Sequence, residues 1–185
     1  MRNLRITPLG GILALALLLR LIALNSRGLW YDDTFSVFLS EQSWGRIISG
    51  TAADTMPPLY YFLLSVWIRI GGEAVWWLRL LNVGFSLIVV AVVYGFTARL
   101  FGRGAAAWAA AFTAVSPLQI YHAQELRMYV TLTLGLALYA WGVWELSQAP
   151  TGGIRSGLLT IAGGVIAVYS HNLAIFTLAA PNAWL

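Results

Sequence analysis

An all-α, polytopic bundle of transmembrane helices is the fold class this sequence predicts, and three observations predict it. Apolar runs of spanning length recur along the 185 residues. Charged residues make up only 10% of the chain, where a soluble domain carries about 25%. Nine Trp and eight Tyr supply the amphipathic rings that two membrane–water interfaces take up. Length alone would suit one ordinary soluble domain, but a mean hydropathy of +0.76 overrides that prior.

The elements follow in order. Residues 9–24 form the first candidate span, led by Arg2 and Arg5 and interrupted by Arg20. A basic start before an apolar middle also fits a signal peptide. With no small-residue cleavage site after it and more spans to come, it reads as an uncleaved anchor. An external loop over about residues 25–78 comes next. Within it, residues 57–70 (PPLYYFLLSVWIRI) are apolar but only 14 long, the length of an interfacial or re-entrant helix. Asp54 and Thr55 are its N-cap candidates, and Pro57 suits a first helical turn. Further spans are expected over residues 80–98, 104–121 and 128–146, and one begins at Gly157. The expected architecture has about five to six spans, with short interfacial helices in the loop after the first.

Charge sets the orientation. If residues 57–70 do not cross, the N-terminus and the loops 101–103 and 147–156 share one side. That side holds Arg2, Arg5, Arg99, Arg103 and Arg155, with only Glu145 nearby. The other side receives Asp32, Asp33, Glu41, Asp54, Glu73 and Glu125. The positive-inside rule makes the first side cytoplasmic and the acidic side external. All eleven basic residues are Arg, scattered at predicted helix ends, which suits topology setting better than phosphate tracking along a nucleic acid. The absence of Cys excludes disulfides and thiolate metal sites. Residues 182–185 lie inside a further apolar run, so the chain is expected to be the N-terminal part of a longer transmembrane domain.

Four clusters on the external side carry chemistry. Asp32 and Asp33 are adjacent carboxylates among aromatic rings in L-W-Y-D-D-T-F-S. They suit a divalent cation or a general base with a neighbour-tuned pKa; the plainer reading is a loop whose Asp caps a helix from Thr34 onward. Asp54 opens D-T-M-P-P-L-Y-Y, where capping alone would explain it. Gln124, Glu125, Arg127 and Tyr129 lie between two spans in Q-E-L-R-M-Y. Arg127 suits a phosphate or a distant carboxylate, and an interfacial charge cluster is the competing reading. His171 in Y-S-H-N sits at a membrane depth where ionisable groups usually face a cavity, and a hydrogen-bonded packing histidine is the alternative. Phosphate-loop, nucleophile-elbow and zincin signatures are absent from the sequence.

Taken in order, these segments resemble a known family. W-Y-D-D-T-F-S resembles the W-x-D-E-x-x-S segment in the first external loop of GT-C class membrane glycosyltransferases. The similarity is to the bacterial branch related to protein O-mannosyltransferases and aminoarabinose transferases. D-T-M-P-P-L-Y-Y-F-L-L resembles that branch's D-x-H-P-P-L-Y-Y-x-L-L, and S-P-L-Q-I-Y-H-A-Q-E-L-R-M-Y its S-P-x-x-x-Y-x-x-Q-E-x-R-M-Y. Y-S-H-N is similar to its Y-T-H segment, so the match runs from about Leu29 to His171.

The resemblance implies transfer of a sugar from a polyprenyl-phosphate donor to a lipid, glycan or protein acceptor at the external face of the cell membrane. It implies Asp32 as base or acceptor organiser, with Asp33 in place of the family's second acid, a Glu. Glu125 and Arg127 map to the cluster near the donor phosphate, and His171 to the Y-T-H histidine. Asp54, Gln124 and Tyr129 complete the expected substrate-binding set. A divalent cation at Asp32 and Asp33 is the one cofactor contemplated. Met56 stands where the family has His or Lys, so that contact is lost. Two other classes compete: a non-catalytic truncated membrane protein or scaffold, which shares every topological feature, and a transporter fragment. The last would place charges mid-span, where only Arg20 lies.

Overall fold

The computed structural model describes residues 8–148 and 153–182. Arg2, Arg5, the middle of the 147–156 loop and residues 183–185 lie outside the described residues. Every regular element among those described is helical.

α1 (Pro8–Leu21) opens on a proline, whose missing N–H costs nothing in a first turn. It ends short of the expected residue 24, where Ala23 takes a left-handed φ of 57°. Three short helices occupy the predicted loop: α2 (Tyr31–Ser40), α3 (Trp44–Ala53) and α4 (Leu59–Gly71). α2 starts at Tyr31, three residues before the capped start expected at Thr34. The Asp33 carboxylate reaches back to the Trp30 N–H instead. Asp54 does not cap α4. It closes α3, and α4 begins only after Pro58. Two prolines explain the delay, because each pushes the residue before it out of the helical region.

Gly72, at φ 82°, ends α4 and turns the chain into α5 (Val75–Val115). The turn is clamped by Trp67 and Trp77. Their rings stack 4.3 Å apart, and each indole N–H donates to the other's carbonyl at 2.8 and 3.1 Å.

α5 contains both spans expected over 80–98 and 104–121, joined without a loop. Gly102 breaks it with φ 82° and ψ 173°, a backbone open to glycine and costly for other residues. Val90 packs with Ala110 and Ala114 in one buried cluster with Ala16 of α1. In a straight helix Val90 and Ala110 would stand about 30 Å apart. The element therefore doubles back at Gly102 as a helical hairpin. Its second arm stops at Val115 rather than 121, because Pro117 cannot supply the next N–H. Pro117 instead opens α6 (Pro117–Ala123), which Ser116 caps.

α7 (Tyr129–Gln148) and α8 (Ile154–Ser170) pack backbone to backbone. A Cβ on Gly135 would lie 2.5 Å from the Ala167 nitrogen, and one on Gly163 would strike the Tyr139 nitrogen. α8 closes at His171, and α9 (Ala174–Asn182) follows.

Among the described residues α5 is the one helix long and apolar enough to cross a membrane. α1, α4 and α8 are apolar but shorter. Large apolar side chains nonetheless face outward on several helices, such as Leu18, Trp108, Phe112 and Ile161. Such patches on a protein surface mark contact with a membrane or a partner.

The bundle has two unlike ends. One gathers the end of α1, the starts of α5 and α7, α6 and the end of α8. The other carries the Gly102 turn and an Arg155–Glu145 ion pair of 2.9 Å.

Candidate functional site

The site is built on the non-helical stretch 124–128 between α6 and α7, which three neighbours pin. Asn82 on α5 donates its amide hydrogens to the carbonyls of Glu125 and Arg127, the latter at 3.0 Å. Asp33 on α2 accepts the Leu126 N–H at 2.8 Å. Gln124 donates to the carbonyls of Arg20 and Ile22 at 2.9 Å each. Its carbonyl accepts from Arg27 at 3.4 Å. The Gln124 amide is thus committed to the end of α1. A second strap comes from Arg79, whose guanidinium donates to the carbonyls of Leu24, Arg27 and Gly28.

With its backbone fixed, this stretch turns two charged side chains into one cavity of about 280 Å³. Glu125 and Arg127 line it together with Asp32, Asp33 and Tyr129. Five of the residues expected from the sequence therefore share a wall. His171 stands one ring further out, stacked on Tyr129 with centroids 6.3 Å apart. Its neighbour Asn172 donates to the Thr55 carbonyl, tying the end of α8 to the α3–α4 loop. Asp54 is exposed at the end of α3 and does not line the cavity.

The two adjacent aspartates differ. Asp32 is exposed on the first turn of α2, whereas Asp33 is 2% exposed. Burial pushes the Asp33 carboxyl above the usual carboxylate range. The N–H groups of Leu126 and Trp30, and the Arg79 charge, oppose that rise; Glu125 adds to it. Both Asp33 oxygens accept from backbone N–H groups, so Asp32 is the freer carboxylate of the pair. For a divalent cation this is a thin donor set. Among the described residues no cluster of three or more His, Asp or Glu is placed to hold a metal.

Arg127 is the unusual member. It is 9% exposed and its Nε has no hydrogen-bond partner. Although Glu125 lines the same cavity, the two form no ion pair; the ion pairs among the described residues are His122–Glu125 and Arg155–Glu145. A guanidinium buried this far normally has a carboxylate or phosphate to offset its lost hydration.

Glu125 is held from behind. One oxygen lies 2.8 Å from His122 Nδ1. The interaction with Glu125 holds the Tyr121 phenol above its usual range. The His122 ring packs 4.7 Å from Tyr129. In the sequence His122 falls within S-P-L-Q-I-Y-H-A-Q-E-L-R-M-Y with no role of its own. It is one of only two histidines and stands three residues before Glu125, and that spacing was the available signal.

Chemically, the cavity offers a cation to an anionic oxygen and an accessible carboxylate to a proton. No family model, curated protein or solved structure matches the chain.

Proposed function

We propose that the chain is part of an integral membrane glycosyltransferase that moves a sugar from a polyprenyl-phosphate donor to an acceptor hydroxyl. In this reading α1, both arms of α5, α7 and α8 cross the cell membrane, the N-terminus is cytoplasmic, and the cavity opens on the external face. One observation carries the proposal: Arg127, buried and without a carboxylate, lines a cavity that also holds the exposed carboxylate of Asp32.

The pairing suits the reaction. A lipid phosphate is already a fair leaving group and needs mainly stabilisation of its developing charge, which a guanidinium supplies. The acceptor hydroxyl needs a base, and Asp32 takes its proton. The hydroxyl oxygen then bonds to the anomeric carbon as the bond to the phosphate oxygen breaks. The departing lipid phosphate keeps that electron pair.

Transport fits less well, because Arg20, the charge that falls mid-span, spends its donors on Ser86 and on the carbonyls of Ala16 and Ala114. The test measures transfer from a polyprenyl-phosphate sugar in membranes holding the full-length protein. Asp32→Asn is expected to reduce transfer by about 100-fold or more. Undiminished transfer would remove Asp32 from the base role.

A further inference from the structure

Glu125 and Arg127 present a puzzle of charge. They are two residues apart on an irregular backbone and line one cavity, yet they do not pair. Opposite charges so placed attract strongly in a partly desolvated pocket. Something must hold the carboxylate off the guanidinium.

The holder is visible. His122 Nδ1 lies 2.8 Å from the Glu125 carboxylate, a hydrogen bond in which the ring N–H donates when the carboxylate is ionised. His122 is fixed in turn by ring contacts with Tyr121 at 5.4 Å and Tyr129 at 4.7 Å. Tyr121 also interacts with the carboxylate. Arg27 lies over the Tyr121 ring, 5.8 Å from its centroid. On the cavity side, the buried Asp33 carboxylate borders the same space and repels Glu125.

We infer that His122 is a positioning residue: by holding Glu125 it keeps Arg127 free to receive an anionic oxygen, which in the proposed reaction is the donor phosphate. The inference rests on the glycosyl-transfer reading for the identity of that anion. The hydrogen bond itself does not depend on it. Without His122, the Glu125 side chain rotates onto Arg127 and closes the site with an internal ion pair. His122 thus acts through Glu125 and needs no contact with the ligand.

The test uses the full chain in detergent, with farnesyl phosphate and inorganic phosphate as separate probes. His122→Ala is expected to weaken farnesyl phosphate binding about 10-fold, the scale of one charge-assisted contact. The double variant His122→Ala/Glu125→Gln is expected to return it to within about 3-fold of the parent, because a neutral Gln cannot occupy the guanidinium as an ion pair. A merely structural role for His122 predicts no such rescue. Unchanged binding in His122→Ala, or a double variant as weak as the single, overturns the inference. Equal binding of inorganic phosphate identifies a general anion site, which supports the inference while removing lipid selectivity.

A second readout separates the two claims. With only two histidines in the chain, ¹⁵N-histidine labelling gives two pairs of ring-nitrogen signals, one pair per imidazole. Glu125→Ala is expected to shift the tautomer balance of His122 and leave His171 unchanged; no change at either overturns the hold. Should the parent fail to bind either phosphate probe while Glu125→Ala still shifts His122, the hold stands and the glycosyl-transfer reading falls.

Discussion

Arg20 and Arg127, both buried but opposite in partnership, divide this molecule into scaffold and site. Arg20 is fully buried and gives hydrogen bonds to Ser86 Oγ at 2.7 Å and to the carbonyls of Ala16 and Ala114 at 3.0 Å. A longer contact reaches the Thr113 carbonyl at 3.5 Å. That last carbonyl would normally bond the N–H four residues on, which is Pro117 and has none. Arg20 thus repairs the break that proline makes between α5 and α6. Arg127 is almost as buried, yet its Nε is unpaired and no carboxylate meets it. Burial alone does not separate the two; the partner list does.

The largest expected effect breaks the first side of the comparison. Arg20→Ala leaves carbonyls and a hydroxyl without donors in the bundle interior, and is expected to cost about 3 kcal/mol or more. Unfolding in detergent, followed by tryptophan fluorescence, measures it. Arg127→Gln breaks the other side. It is expected to cost under about 1 kcal/mol in the same assay but to weaken farnesyl phosphate binding at least about 10-fold. Equal destabilisation by the two variants would make Arg127 a scaffold residue and end the distinction.

The smallest effect concerns Asp33, a buried charge of the opposite sign. Because its carboxyl is held above its ordinary value, the folded chain binds that proton more tightly than the unfolded chain. Its contribution to stability is therefore fully present below the ordinary carboxylate value and is lost as pH rises through the raised one. Asp33→Asn is expected to flatten the stability profile in that window, read as unfolding midpoint against pH. An unchanged profile would assign the slope to other carboxylates.

Much of this was legible in local pattern. The short helix α4 follows from an apolar run bounded by Pro57, Pro58 and Gly72. The gathering of Asp32, Asp33, Glu125, Arg127 and Tyr129 at one end follows from charge counting across alternating helices. What stayed hidden depends on contacts between distant residues or on backbone angles. The span expected to run to 121 instead stops at Val115, where Pro117 begins a separate short helix. Gln124 looks like a substrate ligand in its motif, yet its amide is consumed by carbonyls more than 100 residues earlier. Asp54 looks like the start of a helix because it precedes two prolines, and it ends one instead. The absence of any loop between the two arms of α5 rests on a single φ at Gly102. His122 stands three residues before Glu125, but which way its ring turns depends on contacts with Tyr121 and Tyr129.

The α7–α8 contact has a mechanical consequence. Where Gly135 and Gly163 meet, no side chain cushions one backbone from the other, so the spacing of the two helices has almost no tolerance. Tyr129 begins one of these helices and His171 follows the other. The pair works as a stiff two-armed lever with its pivot at the glycines and its tips at the cavity rim. A single added methyl at the pivot is geared to the distance between those two rings, far from any atom it touches.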